Sequence, residues 1–155
     1  MSEKAKPVEP DWGSYPETVC YFQGDEEVMV DLRVPVPRAT RDAFSTLGLA
    51  GPFGILTAYN PRGVDLADEE NSLRAAELEA ELVSLGFDFV RVDCCSPDRS
   101  HCECSVAVVA PKEQLLDMAR RWEQIAIFWF NGAGFSIVGA ILPGFLRLPL
   151  PGTAV

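Results

Sequence analysis

At 155 residues, with 48% hydrophobic and 23% charged side chains, the chain has the length and composition of one globular domain with a real core. Its 13 Lys+Arg against 23 Asp+Glu leave a net charge of −10. A surface of that sign repels phosphate backbones, and no local basic cluster offsets it, so nucleic-acid binding is excluded.

Residues 1–17 mix charge with Pro7, Pro10 and Pro16 and read as a flexible N-terminal tail without a basic-then-apolar leader. Residues 18–155 then form a single domain. Val19 to Phe22 and Val28 to Val34 are predicted strands around an acidic turn at Gly24-Asp25, with Pro35 and Pro37 ending the second. Thr40 to Leu47 is a predicted helix capped by Thr40 and stopped by Gly48. Phe53 to Tyr59 is a short apolar run that fits a strand, ended by Pro61. The helix that follows has Asp68 as its cap and Gly86 at its left-handed end. Its expected buried stripe is Leu73, Ala76, Ala80 and Val83, widened by Leu78, Leu82 and Leu85. Phe87 to Val92 and Ser105 to Val109 are the next strands, and the loop between them holds His101 and four of the five cysteines. Pro111 suits the first position of a helix that buries Leu115, Met118, Ala119 and Trp122.

From Ile125 to Phe145 there is no charged residue, a length that can span a bilayer. Asn131-Gly132 sits between Ile-Ala-Ile-Phe-Trp-Phe and Phe-Ser-Ile-Val-Gly-Ala, however, which is the pattern of two strands and a tight turn. The segment therefore reads as a buried hairpin and not as a membrane helix. Phe128 and Phe130 belong on one face, with Ile127 and Trp129 on the other. Both faces are apolar and need cover, from helices, from the Leu-Pro tail or from a second subunit in a homo-oligomer.

From Phe53 to Phe130 the order of predicted elements is β-α-β-β-α-β. The expected fold class is α+β: an antiparallel sheet with a ferredoxin-like core, an N-terminal hairpin and helix, and an extra C-terminal strand. In that topology the first core strand lies between the third and fourth. Asn60, Arg62, Asn71, Arg74, His101, Glu103, Ser105 and Gln124 would then meet on one rim of the sheet.

At these residues the chain resembles an uncharacterised bacterial family, domain of unknown function 3293. The resemblance is carried by Thr57-Ala58-Tyr59-Asn60-Pro61-Arg62, then Glu70-Asn71, Arg74, Leu78 and Leu82. It continues through Glu103 with Ser105, and through Gln124 with Ile127-Phe128-Trp129. It runs roughly from Phe53 to Phe130. Where many members have Glu-Pro-Ser this chain has Glu103-Cys104-Ser105, and the pair Cys94-Cys95 departs from the pattern. The resemblance carries over no activity, cofactor or partner.

The chemistry leaves several readings open. Asn60, Arg62, Asn71, Arg74, Glu103, Ser105 and Gln124 can hold a small anionic ligand through guanidinium forks and a helix N-terminus. The same residues can equally be a structural network. Glu103 and His101 have the spacing of an acid–base pair on one strand face, although a Glu beside two arginines is more simply a salt-bridge anchor. Ser105 lacks the glycines of a nucleophile elbow. Cys94, Cys95, His101, Cys102 and Cys104 lack the paired knuckles of a zinc site, so no metal and no cofactor is expected. An odd cysteine count with two adjacent residues points to reduced thiols and a cytoplasmic protein. Two functions compete. One is a ligand pocket at the rim. The other is an acidic protein-interaction module, its contact patch near Trp12–Tyr15 or the Leu-Pro tail.

Overall fold

Strand alternation sets the architecture, because the strands carry apolar residues on both faces. In the computed structural model, which describes residues 12–151, eight strands form one antiparallel sheet. They are β1 (Val19–Phe22), β2 (Val28–Asp31), β3 (Phe53–Thr57), β4 (Val90–Cys95), β5 (Cys102–Val108), β6 (Ala126–Phe130), β7 (Phe135–Gly139) and β8 (Phe145–Arg147). Their spatial order is β2-β1-β4-β5-β3-β6-β7-β8, and the sheet curls into a half-barrel. Three α-helices accompany it among the described residues: α1 (Arg38–Thr46), α2 (Asp68–Ser84) and α3 (Lys112–Arg121). β3 lies between β5 and β6 and runs antiparallel to both.

One face of the sheet is aromatic. Phe22, Phe53, Phe130 and Phe135 surround Phe44 of α1, whose ring lies 5.0 Å from that of Phe130 and 5.1 Å from those of Phe22 and Phe53. Leu148 from the C-terminal segment closes the same cluster. The opposite face packs Leu56, Val106, Val108 and Ile127 against Leu78 and Leu82 of α2 and Leu115, Met118 and Ala119 of α3. α3 approaches so closely that a Cβ on Gly54 would lie 2.7 Å from a Leu115 methyl, which would have to shift to admit it.

The β6–β7 hairpin has the expected turn. Asn131 Oδ1 accepts from the backbone N–H groups of Ala133 and Gly134, and Gly132 takes φ +103°. Phe128 and Phe130 lie on the aromatic face, with Ile127 and Trp129 on the helical face. No helix among the described residues is long and apolar enough to cross a membrane.

Several expectations need correction. The stripe Leu73, Ala76, Ala80 and Val83 points outward: Leu73 is 61% and Val83 68% exposed, and Leu85 is exposed as well. The buried residues of α2 are Asn71, Leu78 and Leu82. Spacings of three and four fit either stripe, and the choice fell to the polar anchors Asn71 and Arg74 described below. Neither α1 nor α2 has a side-chain cap; Pro37 and Ala67 occupy the cap positions. The acidic first turn of α2 at Asp68, Glu69 and Glu70 meets the helix dipole instead. Gly48 and Gly86 end their helices with positive φ, as expected.

The strands β4 and β5 sit toward the cysteines, so the connecting loop is only 96–101. Cys95 then faces Cys102 across the ladder, and the two are disulfide-bonded. The expectation of wholly reduced cysteines is therefore overturned. Cys20, Cys94 and Cys104 remain free, and Cys104 is exposed. Of the segment 1–17, residues 1–11 lie outside the described residues. Tyr15–Glu17 forms a 3₁₀ turn, and Trp12 and Tyr15 pack against the aromatic face.

Phe44 is the hub that ties α1 to four strands. Phe44→Ala should cost about 3–5 kcal/mol in denaturant melts. A cost below about 1 kcal/mol would mean that α1 is not part of the cooperative core.

Candidate functional site

The loop after β3 is held in an unusual backbone shape. Asn60 takes φ 46° and Arg62 φ 57°, a left-handed region that asparagine enters more readily than most residues. The Asn60 side chain makes three hydrogen bonds. Its Oδ1 accepts from Leu66 N at 3.0 Å and from Asn71 Nδ2 at 2.8 Å, and its Nδ2 donates to Glu103 Oε2 at 3.1 Å. Asn71, 4% exposed, returns the contact by accepting from Asn60 N at 2.9 Å.

Arg74 and Gln124 bind backbone. Arg74 Nε donates to Ala58 O at 2.6 Å and Nη2 to Trp122 O at 2.9 Å, with the guanidinium 5.3 Å from the Trp122 ring. Gln124 Nε2 donates to the carbonyls of Tyr59 and Trp122. Arg62 turns outward to Glu123, 3.0 Å away, and its side chain is 71% exposed. Asn60, Asn71, Arg74 and Gln124 thus hold the loop together and Glu103 joins them through Asn60, while the Arg62 side chain lies outside this part of the predicted rim. The expected ion pair of Glu103 with Arg62 or Arg74 is absent. Arg74 spends its fork on carbonyls, and the left-handed turn carries Arg62 away.

Glu103 instead meets Asn60 and His101, whose Nε2 is 3.5 Å from Oε2. Its side chain is 27% exposed and faces a cavity of about 120 Å³ on the aromatic side of the sheet. The lining there includes Tyr15, Cys94, His101, Ser105, Gln124 and Phe128. A second recess of about 330 Å³ shares Ser14, Tyr15, His101, Glu103 and Gln124 with it, and adds Asn60 and Asp65. Ser105 is buried, and its hydroxyl donates to the Glu103 carbonyl, with no base beside it. Arg62, Asn71 and Arg74 line neither recess.

Tyr15 is the residue that sequence reasoning missed. It caps the cavity, its ring 6.0 Å from that of Phe128. Burial, and secondly the Glu103 charge, push its phenol from 10.0 up to about 12. The only signal in the sequence was the pair Trp12 and Tyr15 inside a proline-rich stretch.

The loop 96–101 that presents His101 is self-capped. Asp98 accepts from Ser96 and Ser100, and those hydrogen bonds lower its carboxyl to about 2. The Cys95–Cys102 bond closes its base and takes two thiols out of any zinc ligand set. Among the described residues no group of three or more His, Cys, Asp or Glu is poised for a metal.

Residues 56–127 match the model of the family described as protein of unknown function (DUF3293), which bears out the resemblance over part of the chain. The match contains Asn60, Asn71, Arg74, His101, Glu103, Ser105 and Gln124, while Tyr15 and Phe128 lie outside it. No curated protein and no solved structure matches the chain.

Two outcomes follow for this site. Arg74→Lys should destabilise by about 2–3 kcal/mol, because an ammonium cannot serve both carbonyls and stack on Trp122. Glu103→Ala should cost only about 1 kcal/mol, the lost bond to Asn60 being partly solvated. Equal losses for the two variants would contradict the division between scaffold and cavity. Secondly, Tyr15→Phe should remove an absorbance titration centred near pH 12. The folded chain keeps the Tyr15 proton where the unfolded chain has lost it. That stabilisation is complete below about pH 10 and is lost as pH rises to about 12. Glu103→Gln should move the titration down without restoring 10.0, since burial is the larger cause.

Proposed function

We propose that the chain binds a small polar ligand in the cavity beneath Tyr15, with Glu103 as its anchor. The observation that carries this reading is the way Glu103 is held. Asn60 and His101 both meet Oε2, so the carboxylate is fixed while Oε1 is left for a ligand donor. Tyr15 supplies a protonated phenol above it, and Phe128 and Ile55 supply an apolar wall. Neither recess has an Arg or Lys in its lining, and the outer one adds Asp65. The anionic ligand suggested by Arg62 and Arg74 thus loses its cations. A neutral or cationic molecule bearing hydroxyl or amine donors suits the site better. The Glu103–His101 pair has acid–base capacity, but no hydrogen bond joins either side chain to the Cys94 thiol, which meets Cys20, or to the Ser105 hydroxyl, which meets the Glu103 backbone carbonyl, so binding is the function proposed.

Strand order supports a finer structural reading as well. We take β3-α2-β4-β5-α3-β6 as a ferredoxin-like unit to which β1, β2, β7 and β8 are added. The cytoplasmic placement rested on reduced cysteines and loses that argument with the Cys95–Cys102 bond.

A second reading, the acidic protein-interaction module, has its own observation. Leu73 and Val83 are 61% and 68% exposed on the outward side of α2, beside the exposed Glu69 and Glu77. The two readings separate in one experiment. Small polyols and amines are screened for a rise in melting temperature, since a ligand that binds only the folded state raises it. Compounds that stabilise the wild type should bind Glu103→Gln and Tyr15→Phe about tenfold more weakly. The double variant L73E/V83E should bind them unchanged. Shifts that survive Glu103→Gln at full size would remove the cavity reading.

A further inference from the structure

We propose that a second cavity, at the far end of β6 from Glu103, binds a small organic carboxylate through Arg41. Arg41 lies on α1, and its buried Nε has no hydrogen-bond partner among the described residues. It lines a cavity of about 450 Å³ that opens between α1, the β6–β7 turn and the C-terminal segment. An N–H buried without an acceptor is a standing cost to the fold. The neighbouring side chains do nothing to relieve it.

The distribution of charge makes this site unusual in the chain. With 23 acidic against 13 basic residues, carboxylates are abundant. Arg33, Arg62, Arg91, Arg99, Arg120 and Arg121 each have one within 4 Å. Arg74 has its carbonyls. Arg41 has neither. The lining of this cavity contains a second guanidinium residue, Arg147, and no Asp or Glu; the neighbouring recess that Arg41 also lines holds Arg38 and Asp42, the latter not within ion-pair distance of Arg41. A cationic recess without a protein counter-charge, on a surface of net −10, is a place prepared for an external anion.

The remaining lining specifies the rest of the ligand. Leu32, Val36, Phe135 and Leu148 supply apolar wall. A free guanidinium edge presents parallel N–H groups that match the two oxygens of a carboxylate. The ligand is therefore a carboxylate on a hydrocarbon body. This site is independent of the Glu103 cavity, whose lining it does not share.

The test uses benzoate as the probe, with benzamide and inorganic phosphate beside it. Binding to the full chain is followed by the Nε–H resonance of Arg41 and by melting temperature. Benzoate should bind saturably and move the Arg41 resonance. Benzamide, which lacks the charge, and phosphate, which lacks the apolar body, should bind at least about tenfold more weakly. Arg41→Met should lose benzoate binding, Arg41→Lys should not restore it, and Glu103→Gln should leave it unchanged. Without ligand, Arg41→Met should melt at or above the wild-type temperature, since it removes an unpaired buried donor. Three results would overturn the proposal: no saturable binding at millimolar benzoate, binding that persists in Arg41→Met, or a ligand-free Arg41→Met that melts well below wild type. Phosphate binding as tightly as benzoate would exclude the hydrocarbon specificity and so the ligand class named here.

Discussion

A sheet that is apolar on both faces must be covered twice, and the placement of most other elements follows from that constraint. β3 and β6 show it most plainly. Phe53, Ile55, Phe128 and Phe130 face one way, and Leu56, Ile127 and Trp129 the other. The two long helices cover only the second set. The first must be covered by short pieces: one nine-residue helix, an N-terminal turn and a strand of C-terminal chain. Short pieces meet imperfectly. The gap between the Tyr15 turn and the sheet is the Glu103 cavity, and the gap between α1 and the C-terminal segment is the Arg41 cavity. Both recesses lie on the aromatic side, where cover comes from several separate segments.

The features legible in the sequence were those fixed by local chemistry or by strand period. Asn131-Gly132 specified the β6–β7 turn, period two sorted Phe128 and Phe130 from Ile127 and Trp129, and Gly48 and Gly86 marked helix ends. The convergence of Asn60, Glu103 and Gln124 was legible too, because it needed only the adjacency of β3 to β5 and β6. What was not legible depended on choices between near-equal local options. α2 carries two candidate stripes, and the buried one includes Asn71, a residue that hydrophobicity counts against. Its place is decided by two hydrogen bonds to Asn60, eleven positions away. Likewise the pairing of Cys95 with Cys102 turns on a strand register that propensity does not resolve.

The arginines show why residue type predicted location better than role. Two guanidiniums near a helix start suggested an anion site. In the fold, Arg74 serves as a brace, tying the carbonyls of Ala58 and Trp122 across the rim. Such a brace satisfies carbonyls, that of the buried Ala58 among them, at the mouth of a loop that cannot make regular strand contacts. The cost of the left-handed Asn60 and Arg62 backbone is offset by the same brace and by the Asn60–Asn71 exchange. Arg62, by contrast, is set free toward solvent and Glu123 by its own backbone angle.

Scaffold and site are therefore joined at one atom. Asn60 Nδ2 is the group that reaches from the braced loop to Glu103 Oε2. Everything that fixes Asn60 also fixes the carboxylate: Leu66 N, Asn71 and, through Ala58, Arg74. A carboxylate held this way has little further freedom to lose, the condition under which the proposed ligand would gain useful affinity from a modest cavity. Tyr15 stands on the other side of the balance. It reaches the cavity from a short turn preceding β1, outside the stretch that matches the family, and carries a phenol kept neutral by burial. The carboxylate and the asparagine that fixes it thus lie within the matched residues 56–127, and the phenol that shapes the mouth comes from a turn that precedes them.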